Sequence, residues 1–303
     1  MTTSSYDLLT LALARLADSW ATRTIPAKVR EPGYDLAFAQ RICTLAFDKC
    51  GADIDSYGIA LNDFIALSEE FVQLQIELDR TGHYLYSSYA EVRAKVYDNP
   101  AVMERRYLNG LLLSQAFWTN HMKLFRYFIE RFCRPAKSSG TVLEVPCGTG
   151  IYISEFARRN PAWFARGIDL SESSVAFSKE IARLSAAAVS VLRQDVFALP
   201  QEPKYDRIIC GELLEHLEDP EALLEKLAAM VAPGGRIFLT TAIWAANIDH
   251  IYLFTSADEV RSMLAKRFTI ESELALAVRD GFSPDQERTP INYACVLAAA
   301  AGD

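Results

Sequence analysis

Acidic residues end four short apolar segments in the second half of this 303-residue chain. Glu144, Asp169, Asp195 and Glu212 each follow a run rich in Val, Ile or Leu, and the first three stand about 25 residues apart. This spacing fits strands that alternate with helices, and neighbouring parallel strands bring their carboxyl ends to one edge of a sheet. Carboxylates at that edge can accept hydrogen bonds from ribose hydroxyls. The pattern therefore predicts a nucleoside-binding crevice.

A short loop with two glycines follows the first of these strands. Residues 145–150 read Val-Pro-Cys-Gly-Thr-Gly, and Gly148 and Gly150 allow the backbone to approach a ligand closely. Alone, such a loop is a weak signal that fits a tight structural turn equally well. The three later strand ends, which converge on the same edge, favour a ligand site.

In this order, these segments resemble the class I S-adenosylmethionine-dependent methyltransferases over roughly residues 140 to 300. The resemblance implies that the cofactor is S-adenosylmethionine, that Asp169 accepts its ribose hydroxyls and that Asp195 with the Val196 amide binds its adenine. It also implies that Glu144 and the loop glycines frame the methionine portion, and that Cys210 and Gly211 face the adenine amino group. The complete implied cofactor set is Glu144, Pro146, Cys147, Gly148, Gly150, Asp169, Leu170, Asp195, Val196, Cys210, Gly211 and Glu212.

Pro146 departs from the family pattern, in which many members have the first loop glycine at this position. Proline excludes a left-handed backbone there and removes one amide donor. A dehydrogenase would need such donors for a pyrophosphate, whereas a sulfonium cofactor carries no phosphate. The carboxylate-rich crevice therefore favours the sulfonium.

The predicted fold class is α/β, a doubly wound Rossmann-like methyltransferase sheet preceded by an all-helical N-terminal domain. Before residue 140, apolar residues recur at helical intervals and predict helices over 63–81, 84–97 and 100–132, the last of them broken. A polar link with Pro and Gly at 134–140 predicts a helical domain at 1–135 and a cofactor-binding domain at 136–303. The helical domain would roof the substrate site or mediate dimerisation.

Composition narrows the classes of partner. The net charge of −8 disfavours nucleic acid and anionic membranes. Six cysteines without paired short spacings predict no metal site and fit a reduced, cytoplasmic setting. The N-terminal segment has charges within its apolar pattern and matches neither a signal peptide nor a membrane span. The expected partner is a small-molecule or peptide substrate, and the sequence leaves open a homo-oligomer.

Two of the four histidines follow strands of the predicted sheet and are the candidate catalytic bases. His216 follows the fourth strand and His250 the fifth, and imidazole titrates near neutral pH. Either ring could instead hydrogen-bond backbone, and a carboxylate acceptor would need no base. The candidate substrate contacts are Tyr107, Trp118, Trp244 and Tyr252, each of which could equally fill the core.

The predicted function is methyl transfer to a small organic acceptor, with a hydroxyl or carboxylate oxygen as the expected atom and natural-product tailoring as the expected setting. One alternative is methylation of carbon or nitrogen, including a peptide or carrier-bound acceptor. Another is a non-catalytic interaction protein that keeps the cofactor fold.

Overall fold

The computed structural model describes residues 7–278 and 281–299, in which an N-terminal layer of helices covers one edge of a sheet. The layer contains α1 (Leu8–Leu16), α2 (Ile25–Lys28), α3 (Leu36–Lys49), α4 (Ile54–Thr81), α5 (Tyr89–Val92) and α6 (Leu108–Phe117), with π-helical turns at Arg93–Tyr97 and Ala101–Tyr107. Helix α7 (Thr119–Arg131) follows. The layer is helical, as predicted, but α4 begins nine residues before the predicted helix at 63.

The sheet has seven strands in the order β3-β2-β1-β4-β5-β7-β6. They are β1 (Thr141–Glu144), β2 (Phe164–Asp169), β3 (Val189–Arg193), β4 (Tyr205–Gly211), β5 (Val231–Ile243), β6 (Phe268–Ala277) and β7 (Ile291–Ala299). Strands β1 to β5 pair in parallel, and β7 is antiparallel to both β5 and β6. The order reverses beside β1, which opens a crevice at the carboxyl ends of the strands. The predicted doubly wound fold is confirmed.

Side-chain caps fix where three of the four sheet helices begin. These helices are α8 (Ile151–Arg159), α9 (Glu172–Leu184), α10 (Pro220–Met230) and α11 (Ala257–Leu264). Ser171, Asp219 and Ser256 accept hydrogen bonds from the backbone amides of Ser174, Ala222 and Glu259 at the starts of α9, α10 and α11. Helices therefore follow β1, β2, β4 and β5, and three of these helices begin at a side-chain cap.

The predicted break in the helix at 100–132 falls at Trp118, whose extended backbone (φ −92°, ψ 113°) separates α6 from α7. Beyond this break the chain packs on the sheet. The Tyr127 hydroxyl of α7 donates to Ser272 Oγ of β6 at 2.7 Å, and the Phe128 ring lies 5.0 Å from that of Phe238 on β5. Helix α7 therefore shares the apolar core of the sheet, while the domain boundary at 135 stays a prediction.

Candidate active site

A cavity of about 940 Å³ lies between the helical layer and the carboxyl ends of the parallel strands. Its volume is at the upper end of the range for small-molecule sites, so it has room for a cofactor and an acceptor together. Residues from β1, β2, β4 and the loops after β3 and β5 form its floor, and residues from α4, α6 and the π-helical turns form its roof.

Ten of the twelve residues in the implied cofactor set line this cavity. They are Glu144, Pro146, Cys147, Gly148, Asp169, Leu170, Asp195, Val196, Gly211 and Glu212. Cys210 does not line it, because its side chain is fully buried within the sheet core. Gly150 is also outside the lining, because it forms the N-cap of α8 against α9. The assignment of all twelve residues to cofactor binding stays a prediction.

The two loop glycines have different physical roles. Both have positive φ angles, 46° at Gly148 and 72° at Gly150. A Cβ on Gly150 would lie 2.1 Å from Ser178 Oγ of α9, whereas a Cβ on Gly148 would meet nothing within 4 Å. Packing between helices therefore requires a glycine at 150, and Gly148 faces the open cavity, where a ligand can approach its backbone.

Asp169 is held as an acceptor at the end of β2. Its carboxylate accepts hydrogen bonds from the backbone amides of Gly148 and Ser171, both at 2.9 Å. Burial raises the pKa of Asp169 to about 6, although these amide bonds act in the opposite direction. Glu144 is also buried, it accepts from the Ile153 amide at 3.3 Å, and burial raises its pKa well above its ordinary value.

The four candidate substrate contacts separate into two pairs. Tyr107 and Trp118 line the cavity, whereas Trp244 and Tyr252 do not. The Trp244 indole donates to Asp79 Oδ1 at 3.0 Å and packs in a small apolar cluster with Leu78. Tyr252 packs with its ring centroid 4.7 Å from that of Phe254. Both side chains therefore hold the loop after β5 against neighbouring residues instead of facing the cavity. The sequence placed these residues after the strand but could not predict the direction of their side chains.

His216 lies in a 3-10 helical turn (Leu214–His216) after β4 and lines the cavity. Its Nδ1 is 3.0 Å from the Tyr97 hydroxyl and 3.4 Å from Asp249 Oδ2. The same Asp249 oxygen accepts from the Tyr97 hydroxyl at 3.1 Å and from the Tyr107 hydroxyl at 2.5 Å. The helical layer therefore reaches the catalytic histidine candidate through two tyrosines.

His250 also lines the cavity, with its ring centroid 4.9 Å from that of His216. Its Nδ1 is 2.8 Å from the Ala245 carbonyl, which can only accept, so Nδ1 carries the hydrogen and Nε2 keeps a lone pair. Burial lowers the pKa of His250 to about 3, helped by the neighbouring His216. A neutral ring with so low a pKa is a weak proton acceptor. His250 Nε2 is therefore better suited to accept a hydrogen bond or to coordinate a cation than to remove a proton from the acceptor.

Glu215 and Asp249 are site residues that the sequence analysis did not single out. Glu215 is fully buried, and its carboxylate accepts from the Thr241 hydroxyl at 2.6 Å and from the Ala242 amide at 3.2 Å. Burial and the nearby charge of Glu212 raise its pKa well above its ordinary value. The spacing Glu212-x-x-Glu215-His216 directly after a strand was the available signal, and so was the pair Asp249-His250.

The predicted absence of a metal site rested on the cysteines alone. In the structure, one ligand atom from each of Glu215, His216 and His250 lies within 4.8 Å of the others. Carboxylate and imidazole groups at such separations are suited to a divalent cation.

Known proteins with similar sequences agree with a cofactor-binding cavity at this edge of the sheet. The profile of a methyltransferase domain family matches residues 117–274, just over half of the chain. The chain belongs to this methyltransferase family. The predicted family, the enzyme class and S-adenosylmethionine as the cofactor are thereby confirmed at the level of the family.

Two curated relatives of the methyltransferase are named for O-methylation. The ubiquinone biosynthesis O-methyltransferase of Neisseria meningitidis serogroup A is 32% identical over 151 residues, which cover 46% of this chain and 61% of that protein. Its counterpart from Coxiella burnetii (strain Dugway 5J108-111) is 33% identical over 159 residues, or 50% of this chain and 67% of that protein. The chain therefore spans about two thirds of the length of these relatives.

Among solved structures, the methyltransferase is similar to the N-methyltransferase NodS from Bradyrhizobium japonicum WM9, in complex with S-adenosyl-L-homocysteine. The TM-score is 0.45 at 17% identity, and the match covers 59% of this chain and 88% of NodS. At this distance we infer nothing about the acceptor from NodS. Among the described helices, none combines the length and apolar character needed to cross a bilayer.

Proposed function

We propose that the methyltransferase transfers the methyl group of S-adenosylmethionine to an oxygen atom of a small organic acceptor. The observation that carries this proposal is the set of buried acceptor groups on the cavity wall next to the implied cofactor residues. His216, His250 and Asp249 line the same cavity as Asp169 and Gly148. Groups of this kind can hold or deprotonate a hydroxyl group, which an oxygen acceptor needs before attack on the methyl carbon.

The chemical names of the sequence relatives support oxygen as the accepting atom, since both are O-methyltransferases of a biosynthetic pathway. Tailoring of a small biosynthetic product is accordingly part of the proposal. The roof over the cavity supports a small acceptor over a folded protein or a nucleic acid, because Tyr97 and Tyr107 from the helical layer close over the same wall.

We further propose that the helical layer is a substrate roof. It supplies aromatic side chains to the cavity, including Phe71, Trp118 and Tyr89, and the broken helix at Trp118 turns that ring toward Phe71, with centroids 5.0 Å apart. Aromatic walls of this kind bind flat or apolar molecules by packing and by edge-to-face contacts. An acceptor with an apolar body and a reactive hydroxyl group fits such a wall.

Two measurements test the proposal in sequence. Calorimetry with S-adenosylmethionine and S-adenosylhomocysteine should give one-to-one binding, which a non-catalytic interaction protein without a cofactor site would fail to show. S-adenosylmethionine with a labelled methyl group should then be tested with small phenols, alcohols, carboxylic acids, amines and peptides. We expect products in which the labelled methyl group is bonded to an oxygen atom. Transfer only to nitrogen, carbon or peptides would replace oxygen as the accepting atom, and binding without any transfer would contradict the enzymatic proposal.

A further inference from the structure

The cavity wall between β4 and β5 gathers lone pairs without a positive charge among them. His250 Nε2, which carries no hydrogen, lies 4.0 Å from Glu215 Oε1. Both atoms are hydrogen-bond acceptors, so they do not stabilise one another directly. Glu212 is near enough for its charge to raise the pKa of Glu215. A cation bound among these groups would offset the repulsion between their lone pairs and charges.

His216 presents a second bare imidazole nitrogen. The single Tyr97 hydroxyl proton is donated to Asp249, so the Tyr97 oxygen must accept from Nδ1 of His216, and Nε2 carries the lone pair. Fixing one imidazole nitrogen by a hydrogen bond to a carboxylate or backbone carbonyl is the usual way in which proteins orient a metal-binding histidine. Both rings have that support, His216 from Tyr97 and Asp249, and His250 from the Ala245 carbonyl.

We propose that a single first-row divalent cation binds between Glu215, His216 and His250 and keeps a fourth coordination position open toward the cavity. Ligand bonds of about 2.0 to 2.2 Å around a tetrahedral ion place neighbouring ligand atoms about 3.4 Å apart. The separations of up to 4.8 Å in the three-residue group need inward shifts of about 1 Å or less at each side chain. Two imidazoles and one carboxylate suit Zn²⁺, Mn²⁺ or Fe²⁺ better than Mg²⁺, which prefers oxygen ligands and retained water.

Two oxygen atoms independently indicate a ligand on the cavity side. Among the residues that the structure describes, Glu212 Oε1 and Asp249 Oδ1 are buried side-chain acceptors with no hydrogen-bond partner. Asp249 is 1% exposed and lines the cavity. An oxygen in such a position can accept from a water or an acceptor hydroxyl held at an open coordination position of the ion.

The backbone brings the two halves of the ligand set together. The amides of Ile251 and Tyr252, directly after His250, donate to the Glu215 carbonyl at 2.8 and 3.0 Å. The loop after β5 is thereby fastened to the 3-10 turn that carries His216. The site is built on these backbone bonds and is independent of the cofactor residues on the β1 side.

The catalytic meaning of the ion rests on the proposed function, whereas binding of the ion does not. A divalent cation lowers the pKa of a hydroxyl group that it coordinates. The acceptor oxygen then forms a bond to the methyl carbon as the carbon–sulfur bond breaks, the sulfur keeps the electron pair of that bond, and the hydroxyl proton passes to water. This assigns His216 and His250 to holding the ion instead of removing the proton themselves.

The test measures metal binding to the full chain without any acceptor. Protein freed of metal by a chelator is titrated with Zn²⁺, Mn²⁺ or Mg²⁺ by calorimetry, and we expect one Zn²⁺ or Mn²⁺ per chain with an affinity at least tenfold above that for Mg²⁺. His250→Gln and Glu215→Gln should each weaken binding at least tenfold. His121→Gln is the matched control, since His121 lines the same cavity outside the cluster and should leave the affinity unchanged.

Absorption spectroscopy with Co²⁺ tests the site even if the His250→Gln and Glu215→Gln variants do not fold. Co²⁺ bound to the parent protein should give the absorption bands of a nitrogen- and oxygen-ligated ion, and Asp249→Asn should shift them and weaken binding about 10-fold to 100-fold. Absence of saturable one-to-one binding in the parent, an unchanged affinity in folded His250→Gln, or an equal loss in His121→Gln would overturn the inference. Methyl transfer to oxygen that is unaffected by removal of the metal would overturn the catalytic role and leave the proposed function standing. Metal binding without any methyl transfer would support the ion site and contradict the proposed function.

Discussion

Asp169 is the residue at which pH should control cofactor binding. Burial raises its pKa to about 6 in the free protein, so the carboxyl group is protonated below that pH and ionised above it. Only the ionised form can accept from both ribose hydroxyls, and binding to it must first remove the proton at low pH. We expect the affinity for S-adenosylmethionine to fall as pH drops below about 6, whereas an unperturbed aspartate would show this fall only near pH 4. Calorimetry across this range measures it.

The Asp169→Asn substitution removes the charge while keeping the shape of the side chain. We expect cofactor binding at neutral pH to weaken by about 1.5 to 3 kcal/mol, because charge-assisted hydrogen bonds in a buried site are lost, and the pH dependence to disappear. Glu172→Gln is the control, since Glu172 lies on the neighbouring helix with its side chain 87% exposed. A folded Asp169→Asn protein that binds as tightly as the parent would show that β2 does not end at the ribose.

The two loop glycines allow a paired test at the same scale. Alanine at either position is held at positive φ, which costs about 1 to 2 kcal/mol. At Gly150 the new methyl group also meets Ser178, with its Cα at 3.0 Å, so a further loss of about 1 to 3 kcal/mol is expected from overpacking. Thermal unfolding should therefore show the larger loss of stability for Gly150→Ala. Calorimetry should show that Gly148→Ala loses more cofactor-binding free energy relative to its loss of stability than Gly150→Ala does. Equal effects in both measurements would contradict the division of roles.

At the scale of elements, Gln75 joins α4 to the loop that carries Asp249 and His250. Its amide donates to the Trp244 carbonyl at 3.0 Å and accepts from the Ala246 amide at 2.9 Å. Gln75→Ala leaves both buried backbone groups without these partners, so we expect a loss of about 2 to 4 kcal/mol in the free energy of unfolding. Urea unfolding measures this loss. Gln73→Ala is the control, because Gln73 is exposed on the same helix, and an equal loss there would show that helix propensity alone is responsible.

The sequence predicted the elements of the sheet far better than the tertiary contacts of its loops. The strands that end at Glu144, at Asp169 and two residues before Asp195 could be predicted from local apolar runs and regular spacing. The strand, helix, strand order then determines which ends meet. The directions of Trp244 and Tyr252 depend on side chains more than a hundred residues away or on the next turn, as the Trp244 contact with Asp79 shows. The grouping of Glu215, His216 and His250 was missed for the same reason, because only the folded loop after β5 brings His250 close to Glu215.

The π-helical turns belong to this scale as well. Arg93–Tyr97 and Ala101–Tyr107 bring their last residues, both tyrosines, to one Asp249 oxygen. Helical periodicity predicted helix in this part of the chain, but it could not distinguish a π-turn from an α-turn, because the apolar spacing is similar over so short a segment. Such turns are frequent where function fixes a side-chain direction.

At the scale of the whole molecule, Glu155 ties the helical layer to the sheet. This carboxylate on α8 is paired with Arg41 of α3 at 2.6 Å, and with Arg158 and Arg159 of its own helix at 2.9 and 2.5 Å. Burial alone would raise its pKa, but the hydrogen bonds and charges of these arginines outweigh burial and lower it to about 2. An ionised glutamate therefore contributes to the attachment of the layer that roofs the cavity, together with the apolar contacts between the layer and α8 and α9.

The pH dependence of stability follows from that pKa. Because the folded-state pKa lies below the ordinary value of 4.5, the paired carboxylate stabilises the fold fully above about pH 4.5, and this contribution is lost as the pH falls toward 2. Since the arginine side chains are 36 to 45% exposed, solvent screening limits the contribution to about 1 to 3 kcal/mol. Glu155→Gln should be less stable than the parent by this amount at pH 7, and the difference measured by urea unfolding should close between pH 4.5 and 2. Glu180→Gln, which breaks an exposed pair with Arg183 on α9, should change stability much less. A difference that stays constant with pH would mean that packing of Glu155, and not its charge, holds the helical layer over the sheet.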